Sequence, residues 1–157
     1  MTNRDMIKNY NGLASLQEAE GTYLRRTGRQ LLGGRIKITY AVRKNMHELL
    51  AKLKPYDDAR DCLTSEYRDT EKEKAVFEEK LRQYNEKVKK GKDVARPQEE
   101  AIWREGKTEE EYRKKLDELL DIDVEDVNVH KIDVDQLDGL DLSSSDLGVF
   151  DFMLKDE

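Results

Sequence analysis

One apolar seam in the middle of the chain constrains the fold more than any other feature of the sequence. Its members recur at steps of three, four or seven positions over about 25 residues, which is the period of one face of an α-helix. Pro55 lies within the seam, where a proline removes a backbone donor and clashes with the preceding turn. Because the seam keeps its register on both sides of Pro55, we predict one long kinked helix. The seam consists of Val42, Met46, Leu49, Leu53, Tyr56, Leu63 and Tyr67.

A second seam with the same spacing predicts another helix from about Thr70. Two amphipathic helices that are consecutive in sequence bury their apolar faces by packing side by side. We therefore predict that residues 35–90 form an antiparallel helical hairpin, in which the seam around Tyr84 lies against the seam around Leu49. The second seam consists of Phe77, Leu81, Tyr84 and Val88.

The segment before the hairpin, residues 1–34, is predicted as a helix followed by a basic loop. Apolar residues at helical spacing run from about Asp5 to Glu20, and Gly21 is the expected end of the helix. The glycines that follow are interspersed with arginines, which is typical of a solvated loop or hairpin tip.

The segment after the hairpin, residues 98–157, is predicted as an acidic α+β cap. A short helix around Gln98–Glu105 precedes a second helix, which a capping box of Thr108 and Glu111 opens. Ser143–Ser145 cap a last helix, which contains Leu147, Phe150, Met153 and Leu154.

A strand is the remaining element of this cap. Apolar residues alternate with polar ones from Val127 to Lys131, and the alternation in Arg35–Tyr40 makes that stretch the candidate partner strand. The elements together predict a single, mainly α domain over residues 1–157, with a long kinked helix, a hairpin and a small C-terminal α+β region.

The charges are distributed very unevenly along the chain. From Leu24 to Lys54 there are nine Lys or Arg and one acid, Glu48, for a net charge of +8. From Asp121 to Glu157 there are twelve acids and two lysines, for a net charge of −10. Such asymmetry bears on partners and on self-association rather than on fold, so we predict a charged partner and a homo-oligomer.

No motif for metal binding or catalysis stands out in the sequence. His47, His130 and Cys62 do not form any paired metal-ligand spacing, and the glycines at 28–34 lack the Gly-Lys-Ser/Thr ending of a P-loop. We therefore predict a protein that is not an enzyme and needs neither a metal nor a cofactor. Without a membrane span or a secretory signal, the expected location is the cytoplasm.

Two groups of charged residues are the candidate binding sites. The basic group could hold a protein partner, a phosphorylated nucleotide or nucleic acid, of which a protein is the leading hypothesis. The acidic group either imitates nucleic-acid phosphate to a basic partner or is a solvated surface. The basic candidates are Arg25, Arg26, Arg29, Arg35, Lys37 and Tyr40, and the acidic candidates are Asp133, Asp135, Asp138 and Asp141.

Several short stretches resemble a family of small proteins encoded by tailed bacteriophages. They are Asn11–Leu13, KITYAVRKN at Lys37–Asn45, the residues Tyr56, Arg60 and Leu63, VHKI at Val129–Ile132 and DFML at Asp151–Leu154. The resemblance implies a phage origin and a mostly helical fold with a little strand, and it carries over no catalytic residue.

Binding is therefore the predicted activity. The leading hypothesis is a non-enzymatic phage protein that binds and inhibits a host or phage macromolecule, such as a component of host defence. The alternatives are a structural or assembly protein of the virion, and an oligomer that sequesters a phosphorylated nucleotide signal at Arg25, Arg26 and Arg29.

Overall fold

The computed structural model describes residues 1–155, which are mainly helical. There are five α-helices and two 3-10 turns in this part of the chain, and no β-strand. The helices are α1 (Asn3–Thr27), α2 (Ile36–Tyr67), α3 (Thr70–Lys89), α4 (Glu109–Leu120) and α5 (Ser144–Gly148), and the 3-10 turns are Val134–Leu137 and Asp151–Met153.

The chain divides into two compact units. The first unit contains Met1–Tyr56 and the chain from Leu120 onward, and the second contains Asp57–Leu119. Most of the buried apolar side chains belong to the first unit, and their core lies among α1, the first part of α2 and the C-terminal segment. They are Met6, Leu13, Leu16, Leu31, Leu32, Ile38, Ala41, Val42, Leu49, Leu53, Tyr56, Ile132, Leu137, Phe150 and Met153.

Helix α1 is longer than its sequence pattern predicts. Thr2 and Asp5 form a capping box at its start, as each side chain accepts a bond from the other residue's backbone. The prediction that Gly21 ends the helix is wrong, because an interior glycine costs only about 1 kcal/mol. The helix ends at Gly28 instead, whose φ of 69° is the left-handed cap conformation and whose N–H donates to the carbonyl of Leu24.

Helix α2 confirms that the long seam is helical. It continues through Pro55 without a break, and the seam residues are buried except for half-buried Met46. The predicted strand at Arg35–Tyr40 is wrong, because these residues lie at the start of α2. A six-residue alternation fits the first turns of a helix as well, in which Ile38 is buried while Ile36 and Tyr40 are exposed.

The predicted C-terminal α+β region has no strand in the described residues. Only isolated bridges occur there, between Thr2 and Asp123 and between Ile132 and Leu154. The stretch at Val127–Lys131 has no regular secondary structure, and the N–H groups of Asn128 and His130 donate to side chains of α2 rather than to another strand. The start of the last predicted helix is confirmed at α5, where Ser143 accepts from the N–H of Asp146. Its predicted extent is wrong, because α5 ends at Gly148 and Phe150, Met153 and Leu154 belong to the following 3-10 turn and its ends.

The second unit consists of the end of α2 with α3, α4 and the segment between them. Thr108 accepts from the N–H of Glu111 and confirms the predicted start of α4. The predicted helix at Gln98–Glu105 is wrong, because Ile102 and Trp103 pair with the backbone after α2 instead. No described residue of α3 or α4 is fully buried. The packing of the α3 seam against Leu49 stays a prediction.

Polar contacts tie these elements of the second unit together. The Arg68 guanidinium donates to both carboxylate oxygens of Glu73, at 2.8 and 2.7 Å, and the N–H of Ile102 donates to the same carboxylate at 2.8 Å. The bond from Arg68 is the main cause that holds the pKa of Glu73 below its ordinary value. Lys107 and Lys115 lie over the ring of Tyr67, at 4.7 and 5.3 Å from its centre.

Candidate interaction surface

Two of the predicted binding residues, Lys37 and Tyr40, lie on the exposed side of the first half of α2, and Arg35 immediately precedes this helix. Residues 128–138, which include the 3-10 turn at Val134–Leu137, lie along the same side of α2 and are called the strap below. The strap runs antiparallel to α2: its start contacts Glu48, its middle contacts Asn45 and Tyr40, and its end contacts Arg35. It therefore brings the predicted acidic residues of the strap, Asp133, Asp135 and Asp138, to the part of the surface that holds Arg35 and Tyr40.

Asn45 fixes the middle of the strap. Its side chain is only 1% exposed, and its amide nitrogen donates to the carbonyl of His130 at 2.9 Å. Its amide oxygen accepts from the N–H of His130 at 2.7 Å. The side chain thus imitates a neighbouring strand, which explains why this segment needs no sheet. Near it, a Glu48 carboxylate oxygen accepts from the N–H of Asn128 at 3.0 Å.

Arg35 fixes the end of the strap. Its guanidinium donates to the carbonyl oxygens of Gln136 and Asp138. The sequence places Arg35 among the partner-binding candidates, whereas in the structure its donors already serve a structural purpose. Because it bonds to carbonyl oxygens, it holds the turn without pairing with the carboxylate of Asp138.

A basic and apolar stripe lies on α2 beside the strap. Lys37 and Tyr40 are exposed, and the ring of Tyr40 meets the ring of His130 edge-on at 5.4 Å. The ammonium group of Lys44 lies 5.7 Å from the centre of the Tyr40 ring. We call Lys37, Tyr40 and Lys44 the basic stripe.

The strap itself has an exposed acidic and apolar turn. Val134 is 56% exposed between the exposed Asp133 and Asp135. Asp133 pairs with Lys155 at 2.8 Å, and both side chains are exposed. We call Asp133, Val134 and Asp135 the acidic turn. The structure therefore brings an acidic surface and a basic surface together on one side of the first unit.

The three remaining arginines form a separate site at the end of α1. Arg25 and Arg26 lie in its last turn and Arg29 in the turn that follows, and all three are exposed. Arg25 donates to the hydroxyl of Thr22 at 3.3 Å.

Arg26 lines a cavity of about 640 Å³ together with Asp141, the last of the acidic candidates. Glu18 and Asp146 line the same cavity, so that three carboxylates accompany one guanidinium. A phosphate bound there would meet more negative than positive charge, which disfavours it.

A groove lies between α1 and α2, on the other side of α2 from the strap. Two adjoining cavities of about 560 and 300 Å³ form it, and Gln17 and Arg43 line both of them. At one end Leu24 of α1 lies near Ile36 of α2, and at the other end Tyr10 lies near Leu50. The two helices are therefore antiparallel, and we call this feature the α1–α2 groove.

Three exposed apolar side chains line the α1–α2 groove. Leu24 is 45% exposed, Ile36 is 82% exposed and Leu50 is 51% exposed. These side chains are not among the predicted binding residues, because the stronger apolar pattern of the same helix is its buried seam. Their signal is nevertheless present, as residues 36, 39, 43, 47 and 50 step by three and four along a second face of α2.

Among the described residues, no group of three His, Cys, Asp or Glu side chains is placed to hold a metal ion. None of the helices formed by residues 1–155 combines the length and apolar character required to cross a lipid bilayer. No protein-family model, curated protein or solved structure matches the chain.

Proposed function

We propose that this chain is a non-enzymatic interaction protein, which binds and inhibits a protein partner that places an amphipathic helix in the α1–α2 groove. The observation that carries the proposal is the exposure of Leu24, Ile36 and Leu50 along one continuous groove. Large apolar side chains that are exposed together mark interaction sites more often than isolated ones do.

The dimensions of the groove fit a helix. Ile36 and Leu50 lie 14 positions apart on α2, which at about 1.5 Å per residue gives a length of roughly 21 Å. A partner helix of about four turns matches this length. Buried Leu32 and Val42 supply an apolar floor between the two helices. Recognition of an amphipathic helix in such a groove depends on a few apolar anchors along one face.

The charges around the groove favour an acidic partner. Arg43 lines both halves of the groove, whereas Glu20 is the one carboxylate among the described residues that line it. The single acid between Leu24 and Lys54, Glu48, is already bonded to the strap. Carboxylates on the partner helix would therefore be attracted to this side of the first unit, and the attraction would weaken at high salt.

The resemblance to phage proteins directs the search for the partner to a bacterial host. The experiment is an affinity capture of partners from an infected-host lysate with the wild type, Leu50→Glu and Val88→Glu. Val88 is a matched control, because it is 48% exposed on α3, outside the groove. We expect one host protein at a fixed ratio with the wild type and Val88→Glu, and its loss with Leu50→Glu.

The captured protein is then purified and its activity is measured with and without this chain. Inhibition by the wild type, and at least tenfold weaker inhibition by Leu50→Glu, would support the proposal. Capture that Leu50→Glu leaves unchanged would contradict it. Capsid or tail proteins in place of a host protein would favour the alternative of a role in virion assembly.

A further inference from the structure

We infer that a second copy of this chain docks on the strap side of α2, so that the basic stripe of each copy meets the acidic turn of the other. This surface is separate from the α1–α2 groove, so the inference goes beyond the proposed function and does not depend on it. The occupant is defined by this chain's own residues: Lys37, Tyr40 and Lys44 on one patch, Asp133, Val134 and Asp135 on the other.

The two patches match each other in charge and in polarity. The basic stripe places the Lys44 ammonium 5.7 Å from the ring centre of Tyr40, which is 56% exposed, and Lys37 lies three positions before Tyr40 on the same helix. The acidic turn places two carboxylates around Val134, which is exposed to the same extent. Each patch therefore offers an apolar contact with flanking charges of one sign, and the other patch offers the complement. Complementary charge fixes the register of such a contact and raises its rate of association.

The position of the patches allows a two-fold symmetric dimer. Contacts of the strap with Tyr40 and with Arg35 hold the acidic turn beside the basic stripe in the same copy. When adjacent patches are complementary, rotation of a second copy by half a turn about an axis between them makes both contacts at once. A two-fold interface of this kind is self-complementary and closed.

A second copy explains this surface better than nucleic acid does. Phosphates attracted to Lys37 and Lys44 would also approach the carboxylates of Asp133 and Asp135, which repel them. The exposed Val134 offers nothing to a phosphate backbone, whereas another protein surface can cover it. The pair between Asp133 and Lys155 is exposed, so it contributes little and does not prevent Asp133 from changing partner.

Charge reversal of each patch tests the dimer. Lys37→Glu with Lys44→Glu makes both patches acidic, and Asp133→Lys with Asp135→Lys makes both patches basic. The dissociation constant of each double variant and of the wild type is measured by sedimentation velocity over a range of concentrations. Lys90→Glu with Lys92→Glu, in an exposed segment of the second unit, is the control for a change of charge alone.

The inference predicts that the wild type and the control are dimers, and that each patch variant alone dissociates at least tenfold more readily. An equimolar mixture of the two patch variants should form a heterodimer, because the acidic stripe of one then meets the basic turn of the other. Recovery in the mixture also shows that both variants are folded. A wild type that keeps the mass of one chain at every concentration, or a dimer that neither variant weakens, would overturn the inference.

The result is separable from the test of partner binding. The Asp133→Lys, Asp135→Lys variant keeps the α1–α2 groove intact, and it should still capture the host partner as a monomer. A wild type that captures the partner but does not dimerise would overturn this inference alone, and a wild type that dimerises but captures no partner would overturn the proposed function alone.

Discussion

The two units of the molecule use different means to hold their helices together. The first unit has a continuous apolar core, in which side chains such as Phe150, Met6 and Leu13 are completely buried. The second unit fully buries only Leu63 and Tyr67 among its described apolar residues. Burial of apolar surface stabilises proteins by roughly 25 cal/mol per Å², so the first unit has the larger apolar contribution.

Charged and aromatic contacts take the place of a core in the second unit. Arg68 and Glu73 join the start of α3 to the end of α2, and Lys107 and Lys115 cover the ring of Tyr67. The hydroxyl groups of Thr64 and Tyr112 lie 3.1 Å apart and connect α2 to α4. We therefore expect core substitutions to lower the stability of the first unit most, whereas changes of pH and salt should lower the stability of the second unit most.

The largest expected effect is the loss of a core side chain in the first unit. Phe150→Ala should lower the free energy of unfolding by about 3–5 kcal/mol, because it removes a completely buried ring and leaves a cavity. Phe77→Ala is the matched change in the second unit, where the ring is only half-buried, and it should cost about 1–2 kcal/mol. Urea unfolding monitored by circular dichroism would measure both losses. Equal losses would remove the distinction between the units.

Next in size is the loss of the buried amide that holds the strap. Asn45→Ala should cost about 2–3 kcal/mol, because the N–H and carbonyl of His130 lose their partners while a cavity forms. Hydrogen exchange measured by mass spectrometry should show faster exchange of strap amides and unchanged exchange in α3. Strap amides protected as in the wild type would show that other contacts hold this segment.

A smaller effect, dependent on pH, is expected from Glu73 in the second unit. Its pKa in the folded protein is below the ordinary value of 4.5, chiefly because Arg68 bonds to the carboxylate. The stabilisation is therefore complete above the ordinary pKa and is lost as the pH falls through the folded pKa. Glu73→Gln should cost about 1–2 kcal/mol at neutral pH and less in acid. Thermal unfolding measured from neutral to acid pH checks this, and a constant difference would contradict it.

The smallest effects distinguish two glycines of α1. Gly21→Ala should raise stability by about 0.5–1 kcal/mol, because Gly21 lies within the helix and nothing lies within 4 Å of an added Cβ. Gly28→Ala should lower it by about 1 kcal/mol, because a φ of 69° strains any residue that has a Cβ. Thermal denaturation should show the two shifts with opposite signs. Shifts of the same sign would contradict the assignment of Gly28 as the cap.

Helices could be predicted from the sequence wherever apolar residues recur at helical spacing over several turns. The seam of α2 is of this kind, and the N-caps at Thr108 and Ser143 could be predicted from residue types that accept from the first N–H groups of a helix. The end of α1 could not be located, because Gly21 and Gly28 are identical as local signals. What distinguishes them is backbone conformation, which depends on the packing of the helix.

The strap could not be predicted because its partners are side chains distant in sequence. An alternating stretch such as Val127–Lys131 is the same whether it pairs with a strand or with Asn45. The charge asymmetry separates a basic stretch at residues 24–54 from an acidic stretch at residues 121–157. It could not distinguish Arg35, which holds the strap, from Lys37, which is exposed two positions later. The α1–α2 groove likewise depends on the pairing of two helices that neither pattern specifies.

The most direct test of the account compares cross-linking from the two units. A photo-reactive phenylalanine analogue is placed at Leu50, in the α1–α2 groove, and separately at Val88, on α3 of the second unit. Each protein is irradiated with infected-host lysate, and the cross-linked products are identified by mass spectrometry. The account predicts that position 50 cross-links one host protein through a helical segment rich in acidic residues, and that position 88 does not. Cross-links to that protein from position 88 alone would contradict it.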